Sequence, residues 1–123
     1  MSLPWVRLET NLAHNPKVLD LVANRQYQAV ALYVFALGYS GAQGLDGYVP
    51  AAALPVIHGT RKVADQLVAV GLWRAAGDAG WDINGWADYQ YTSEENQQRT
   101  NRAKAAAQAR WDRARKTRIK AVD

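Results

Sequence analysis

The longest apolar segment of the chain lies in its first third. Between residues 26 and 40, apolar side chains occur on nearly every side of a helix with 3.6 residues per turn. A helix without a polar face is normally a buried one, so this segment is predicted to be the central core helix. Gly38, Gly41 and Gly44 are expected to end it and to open a loop.

A shorter helix is predicted ahead of the core helix, over residues 17–22. Asn15 is a suitable N-cap, and Pro16 fits the first turn, where no backbone N–H is needed. The apolar face of this helix would consist of Val18, Leu19 and Val22.

Short elements separated by turns are predicted after the core helix. Asp46-Gly47 is a turn signal, and Tyr48-Val49 can form only a very short strand. A short helix is predicted over 51–57, either continuous or broken at Pro55, and His58-Gly59 forms the turn that follows.

An amphipathic helix from Thr60 to Val70 and a β-hairpin come next. Thr60 can cap the helix and Gly71 can end it, while the apolar side is formed by Val63, Leu67, Val68 and Val70. Strand-forming residues then flank a tight loop between Gly77 and Gly80, which predicts a hairpin over 72–84. Beyond the hairpin, three aromatic residues are expected to anchor the chain: Trp86, Tyr89 and Tyr91.

This order of elements is that of a winged helix-turn-helix. The helices at 51–57 and 60–70 would be the helix-turn-helix pair, with glycine in the turn, and the hairpin would be the wing. The predicted fold class is therefore mainly α with a small β component (α+β). Residues 1–91 would form the winged-helix domain, and residues 92–123 a long basic C-terminal helix.

The charge of the chain is concentrated in that last segment. The 123 residues carry a formal net charge of +4, with six basic and seven acidic side chains in residues 1–91. Residues 92–123 hold nine basic and four acidic side chains. An aromatic-rich body with a basic tail favours a polyanionic partner, with duplex DNA first. The cations expected to contact phosphate are Arg99, Arg102, Lys104, Arg110, Arg113, Arg115, Lys116, Arg118 and Lys120.

The tail also allows two other interpretations. Ala103, Ala107, Trp111 and Ala114 form one thin apolar stripe, which could seat on a second copy to make a homodimer. Alternatively the tail is a solvated helix whose charge only keeps the protein soluble. In the nucleic-acid interpretation, Trp111 inserts between bases or stacks on them.

The helix that begins after Thr60 is the natural recognition helix. Its candidate DNA-contacting residues are Thr60, Arg61, Lys62 and Gln66, whose side chains can reach base edges or phosphates. The alternative is an ordinary amphipathic surface helix, because Asp65 shares its face and the wing loop offers Asp78 without a cation.

The chain resembles a family of phage proteins. The residues that carry the resemblance are Trp5-Val6-Arg7-Leu8, Asn15-Pro16-Lys17-Val18, Asp46-Gly47-Tyr48-Val49-Pro50, Val70-Gly71-Leu72-Trp73, Gly80-Trp81-Asp82-Ile83-Asn84-Gly85-Trp86, Tyr89-Gln90 ahead of Ser93-Glu94-Glu95, and Arg110-Trp111. These motifs are similar to those of helix-turn-helix proteins of actinobacterial phages and prophages, including the N-terminal domain of phage replisome organisers. The resemblance implies DNA binding in replication initiation or transcriptional regulation.

Other classes of function have little support in the sequence. Cysteine is absent, and His14 and His58 lie in different segments without further ligands at helical spacing, so neither a metal site nor a cofactor is expected. No phosphate-binding glycine loop or nucleophile motif appears, so the protein is not expected to be an enzyme. Without an export signal or a membrane span it is expected to be cytoplasmic. The alternative function is a protein-interaction module that docks a replication or transcription protein; an RNA binder is a third hypothesis.

Overall fold

The protein combines helices with one small sheet. The computed structural model describes residues 2–90 and 92–122, but not the side chains of Ser93 and of residues 118–122. Helices make up 59% of the chain, and the sheet has three antiparallel strands. Two compact units are present, a body formed by residues 1–93 and a second unit formed by residues 94–123. The α+β class is thus confirmed at this level of description.

Helix α1 (Pro16–Ala23) follows a 3-10 turn at Leu12–His14. The Oδ1 atom of Asn15 accepts a hydrogen bond from the Lys17 N–H at 2.9 Å, so the predicted cap and the proline in the first turn are confirmed. The predicted apolar face was partly wrong. Val18 and Leu21 are buried, whereas Leu19 and Val22 are 48% and 38% exposed, because packing on the next helix covers only one edge of the broad apolar face.

Helix α2 (Tyr27–Ala42) is the core helix, and it is longer than predicted. It continues through Gly38 and Gly41, which the sequence analysis expected to end it. Gly41 instead permits a close crossing, since a Cβ atom there would lie 2.5 Å from the Val6 side chain, and the Leu3 N–H donates to its carbonyl at 2.8 Å. Burial on all sides was also wrong: Leu32 is buried, but Tyr27 is 60% exposed.

The sheet consists of β1 (Tyr48–Pro50), β2 (Trp73–Ala75) and β3 (Gly80–Ile83). Its spatial order is β1-β3-β2, so the third strand lies between the other two, and both pairings are antiparallel. The hairpin predicted over 72–84 is therefore confirmed as β2 and β3, and the short strand before it pairs with its second arm.

The segment between β1 and the next helix is less helical than predicted. Only Ala51–Ala53 forms a 3-10 turn, and the chain continues through turns to His58. The continuous helix over 51–57 was therefore wrong, and the helical turn already ends two residues before Pro55. Gly59 then lies against α2, where an added Cβ atom would approach Leu32 to 2.7 Å. Glycine at this turn is thus required by packing.

Helix α3 (Arg61–Ala69) begins at the predicted cap, because the Thr60 hydroxyl accepts from the Val63 N–H at 3.3 Å. It buries Val63, Ala64 and Leu67 and contacts both α2 and β2. Opposite it, Trp73 and Trp81 place their rings 5.6 Å apart between centroids. These contacts form the centre of the core.

Helix α4 (Trp86–Tyr89) and the residue after it return the chain to the N-terminal segment. Trp86 is buried as predicted, whereas Tyr89 is 56% exposed and anchors less than expected; Tyr91 lies outside the described residues. The Gln90 side-chain amide is buried and bonds twice to the Arg7 backbone, at 2.7 Å from its N–H and 2.7 Å to its carbonyl. The N-terminal segment is thereby fixed to the end of the body.

Helix α5 (Ser93–Val122) has 30 residues and constitutes most of the second unit. The long C-terminal helix is therefore confirmed. Glu94 and Glu95 lie in its first turn, where carboxylates favour the positive end of the helix dipole. No helix among the described residues is both long enough and apolar enough to cross a membrane.

Candidate nucleic-acid interface

The cations of α5 are not spread evenly around the helix. At 100° per residue, five of the cations whose side chains the structure describes fall within a sector of about 120°. This sector, called the cationic face below, contains Arg99, Arg102, Arg110, Arg113 and Lys116. From Arg99 to Lys116 it extends about 26 Å along the helix axis, which equals the rise of roughly seven or eight base pairs of duplex DNA.

Most of these cations form no ion pair with a described residue. Within the described part of the chain, no ion pair includes Arg102, Arg110, Arg113 or Lys116. Arg99 lies on the same face but is itself engaged in an interaction. Side chains from Gln98 to Thr117 are all exposed, so the cationic face is accessible to a large partner.

The opposite side of α5 is mixed. It contains Trp111, which is 57% exposed, together with Lys104 and Arg115. Ala103, Ala107 and Ala114 continue the apolar stripe that the sequence predicted, and all three are exposed. Arg118 and Lys120 belong to the helix, but their side chains lie outside the described residues.

Helix α3 provides a second, separate candidate surface in the body. Its first predicted contact residue, Thr60, is used as the helix cap. Arg61 is used within the fold as well: its guanidinium lies 5.5 Å from the centroid of the Trp81 ring, and its Nη2 donates to the Asp78 carbonyl at 3.3 Å. Arg61 therefore joins the start of α3 to the hairpin.

The other two residues of α3 that were predicted to contact DNA differ in their solvent exposure. Lys62 is exposed, whereas Gln66 is only partly exposed. Asp65 is exposed on the same helix. This surface consequently offers Lys62 beside a carboxylate, together with Arg61, which is exposed but engaged by the hairpin. It is a weaker electrostatic feature than the cationic face of α5.

The described residues of the hairpin include no cation that is free to contact phosphate. Its cation, Arg74, lies 3.7 Å from the Asp82 carboxylate and donates to the Asn84 side chain at 3.3 Å. The loop between its strands carries Asp78, which is exposed. A cation-free loop was expected from the sequence, but the contacts of Arg61 with Trp81 and Asp78 were not. The sequence assigns Trp81 to a strand, but nothing in the sequence indicates that its ring contacts Arg61.

Metal chemistry finds no support in the geometry. Among the described residues, no group of three or more His, Asp or Glu side chains is placed to hold a metal ion. His58 lies instead with its ring edge toward Phe35, at 5.6 Å between centroids.

Comparison with known proteins adds no relative. The chain matches no protein-family model, and searches against curated proteins and solved structures return no significant similarity.

Proposed function

We propose that the protein binds duplex DNA through the cationic face of α5. Polyelectrolyte binding is driven by release of the counterions that surround the phosphates, and it needs cations that are exposed and not neutralised by the protein. The observation that carries the proposal is a set of exposed cations on one side of a 30-residue helix that form no ion pair with any described residue: Arg102, Arg110, Arg113 and Lys116.

The proposal includes a winged helix-turn-helix for the body. The order of elements supports it: α2, β1, a turn at 51–58, α3 and the β2–β3 hairpin. The strand order β1-β3-β2 places the hairpin next to the first strand, and Gly59 lies in the turn before α3. In this proposal α3 is the recognition helix, with Lys62 and Gln66 as its reading residues and Arg61 as the residue that positions the wing.

The proposed setting is that of the resemblance. A phage or prophage protein that acts in replication initiation or transcriptional regulation would need general phosphate affinity together with a modest sequence preference. The uneven charge supports this division of tasks, because phosphate contacts position a protein on DNA and base contacts specify the site.

The decisive experiment compares two charge-matched double variants of the full chain. Arg110→Gln with Arg113→Gln removes two cations from the cationic face, and Lys104→Gln with Arg115→Gln removes two from the opposite side. Glutamine has nearly the helix propensity of lysine and arginine, so α5 should persist. Binding to a random-sequence duplex is measured by fluorescence anisotropy over a range of salt concentrations.

The unaltered protein should bind with a slope of log K against log salt near about −4.5 if five cations contact phosphate. The face variant should reduce the magnitude of this slope by about 1.8, whereas the opposite-side variant should leave it nearly unchanged. Equal losses in both variants would indicate a diffuse charge effect without a face. Undetectable duplex binding at low salt, or preferential competition by single-stranded RNA, would overturn the proposal.

A second candidate function is a protein-interaction module, and the α3–hairpin surface favours it. Arg61 and Arg74 are both engaged inside the body, while Asp65 and Asp78 are exposed. Such a surface suits a basic partner protein better than phosphate. Under this alternative, Asp65→Lys should abolish recovery of a partner from nuclease-treated lysate, while the α5 double variants should retain it.

A further inference from the structure

Helix α2 presents an apolar stripe that the rest of the body leaves largely exposed. Tyr27 is 60% exposed, Phe35 is 47% exposed and Val34 is 36% exposed. At 100° per residue these residues share a sector of about 100° with three small ones. The stripe consists of Tyr27, Ala31, Val34, Phe35, Gly38 and Ala42, all of them exposed. A contiguous apolar surface of this kind marks an interaction site more often than an isolated exposed residue does.

The stripe selects for an uncharged partner surface. Helix α2 contains no Asp, Glu, Lys or Arg over its 16 residues. Covering it therefore desolvates no ion, and it offers no counter-charge that a charged partner helix would need. The basic helix α5 and nucleic acid are poor occupants on this ground, whereas another uncharged stripe is a good one.

The order of large and small residues makes the stripe complementary to itself. If a second α2 lies antiparallel, with a two-fold axis between residues 34 and 35, Tyr27 of one copy faces Ala42 of the other. Ala31 then faces Gly38, and Val34 faces Phe35. Each large side chain at an end thus meets a small one, as an isologous interface requires.

We propose that this protein forms a symmetric dimer in which α2 packs antiparallel against α2 of a second copy. Gly38 fits such a crossing, because a Cβ atom built there meets nothing within 4 Å of its own chain, which leaves room for a close approach. Phe35 is already oriented, since its ring lies against the His58 ring at 5.6 Å between centroids. The inference is independent of the proposed DNA binding.

The surface area of the stripe gives an estimate of the affinity between the two copies. Tyr27 and Phe35, with side chains of roughly 200 Å² each, expose 60% and 47% of their surface. With the smaller residues of the stripe, the contact buries roughly 800 Å² in total, which lies in the range of weak and transient interfaces. The dimer is therefore expected to be weak, with a dissociation constant on the order of micromolar or higher.

The first test uses a variant that should not harm the monomer. Gly38→Lys adds a charged side chain at an exposed position where no atom of the same chain lies within 4 Å of a Cβ. It also removes a glycine from the middle of a helix, where glycine is unfavourable. The thermal midpoint should stay the same or rise, while the dimer should weaken about tenfold or more by charge burial. Ala69→Lys, at the exposed end of α3, adds the same charge away from the stripe and should leave the dimer intact. Sedimentation velocity over a wide concentration range measures both.

The second test fixes the register, using the absence of cysteine from the chain. Val34→Cys lies beside the proposed axis and should form a disulfide-linked dimer under mild oxidation. Tyr27→Cys alone should not, because the two copies of residue 27 would be about 22 Å apart, and a disulfide needs Cα atoms within about 7 Å. A mixture of Tyr27→Cys and Ala42→Cys chains should form the mixed disulfide.

Several results would overturn the dimer. A chain that stays monomeric at the highest concentration would do so, and so would Val34→Cys oxidising no faster than an Ala69→Cys control. Efficient linking of Tyr27→Cys to itself would exclude the antiparallel register. Association that persists in Gly38→Lys but is lost when α5 carries substitutions on its Ala/Trp111 stripe would assign the contact to α5 instead.

Discussion

Cations of the same kind have different roles in the body and in α5. Three of the six cations in the body connect segments that are separated along the chain. Lys17 Nζ donates to the Gly71 carbonyl at 3.1 Å, Arg61 reaches the Asp78 carbonyl, and Arg74 pairs with Asp82. Each of these side chains finds an acceptor at a turn or strand that the fold places beside it.

In α5, no ion pair among the described residues includes Arg102, Arg110, Arg113 or Lys116. Asp112, a carboxylate within this stretch, accepts a hydrogen bond from Gln108 at 3.1 Å and pairs with no described cation. A single long helix satisfies its own carbonyls by internal hydrogen bonds and leaves none for a cation except at its end. The comparison shows that cations of the body and of α5 differ in their structural partners, and the proposed phosphate contacts use the cations of α5 that form no ion pair with a described residue.

The largest effect is expected on the stability of the body, which has a hydrophobic core, compared with that of α5, whose stability depends on helix propensity. Leu67 is fully buried between α3 and the core, so Leu67→Ala should lower the free energy of unfolding of the body by about 3 kcal/mol. Ala107→Gly in α5 should reduce helical circular dichroism at a cost of about 1 kcal/mol. The body's midpoint in urea, followed by tryptophan fluorescence, should shift in the first variant only. Equal shifts in both would mean that α5 unfolds together with the body.

An intermediate effect is expected at Arg61, where substitution can distinguish a cation that stabilises the fold from one that contacts DNA. Arg61→Ala removes the contact with the Trp81 face and the hydrogen bond to Asp78, so stability should fall by about 1 kcal/mol. Arg61→Lys retains the charge but loses the planar stack, and it should recover only part of this stability. Thermal unfolding of the three proteins measures the effect. A stable Arg61→Ala protein with weakened DNA binding would show that Arg61 acts on DNA and not on the wing.

The smallest effect concerns alkaline pH and a titrating group in the body. Burial raises the pKa of Tyr33 above its ordinary value of 10.0, and the nearby Glu9 and Tyr89 raise it further. Because the neutral phenol is favoured in the folded state, its contribution to stability is complete below about pH 10 and is lost as the pH rises through the higher folded pKa. The stability of Tyr33→Phe should therefore fall less steeply above that pH.

Unfolding by urea at several alkaline pH values measures this slope. Glu9→Gln should give an intermediate slope, because it removes one charge that raises the pKa of Tyr33 while the phenol stays buried. Identical slopes in the unaltered protein and Tyr33→Phe would contradict the assignment of this pH dependence to Tyr33.

Local patterns in the sequence predicted the elements well where the interactions that form an element join residues only a few positions apart. The Asn15 cap, the Thr60 cap and the hairpin around Gly77 and Gly80 depend on residues within a few positions of one another. The helical course of α5 follows from alanines and from its charge distribution along the axis. The segment at 51–57 was harder because proline and alanine give opposing preferences there.

Contacts between distant residues could not be predicted in the same way. Glycines 38 and 41 were expected to end α2, but one lies in open space and the other lies under the N-terminal segment. Nothing near them in the sequence reports that crossing. The exposed stripe of α2 was missed for the same reason, since an apolar segment does not reveal which of its sides the rest of the chain will cover.

By itself the sequence determined the accumulation of cations in the last quarter of the chain, the helical propensity of that segment and the caps and turns of the body. Helical periodicity also assigns most of those cations to one face, because a regular helix needs no tertiary partner to define its sides. Only the tertiary structure decided that Arg61 and Arg74 serve the hairpin, that Gln90 holds the N-terminal segment and that one side of α2 stays uncovered. These outcomes depend on which segments meet in space, and burial and hydrogen bonding between them act over separations that no local pattern records.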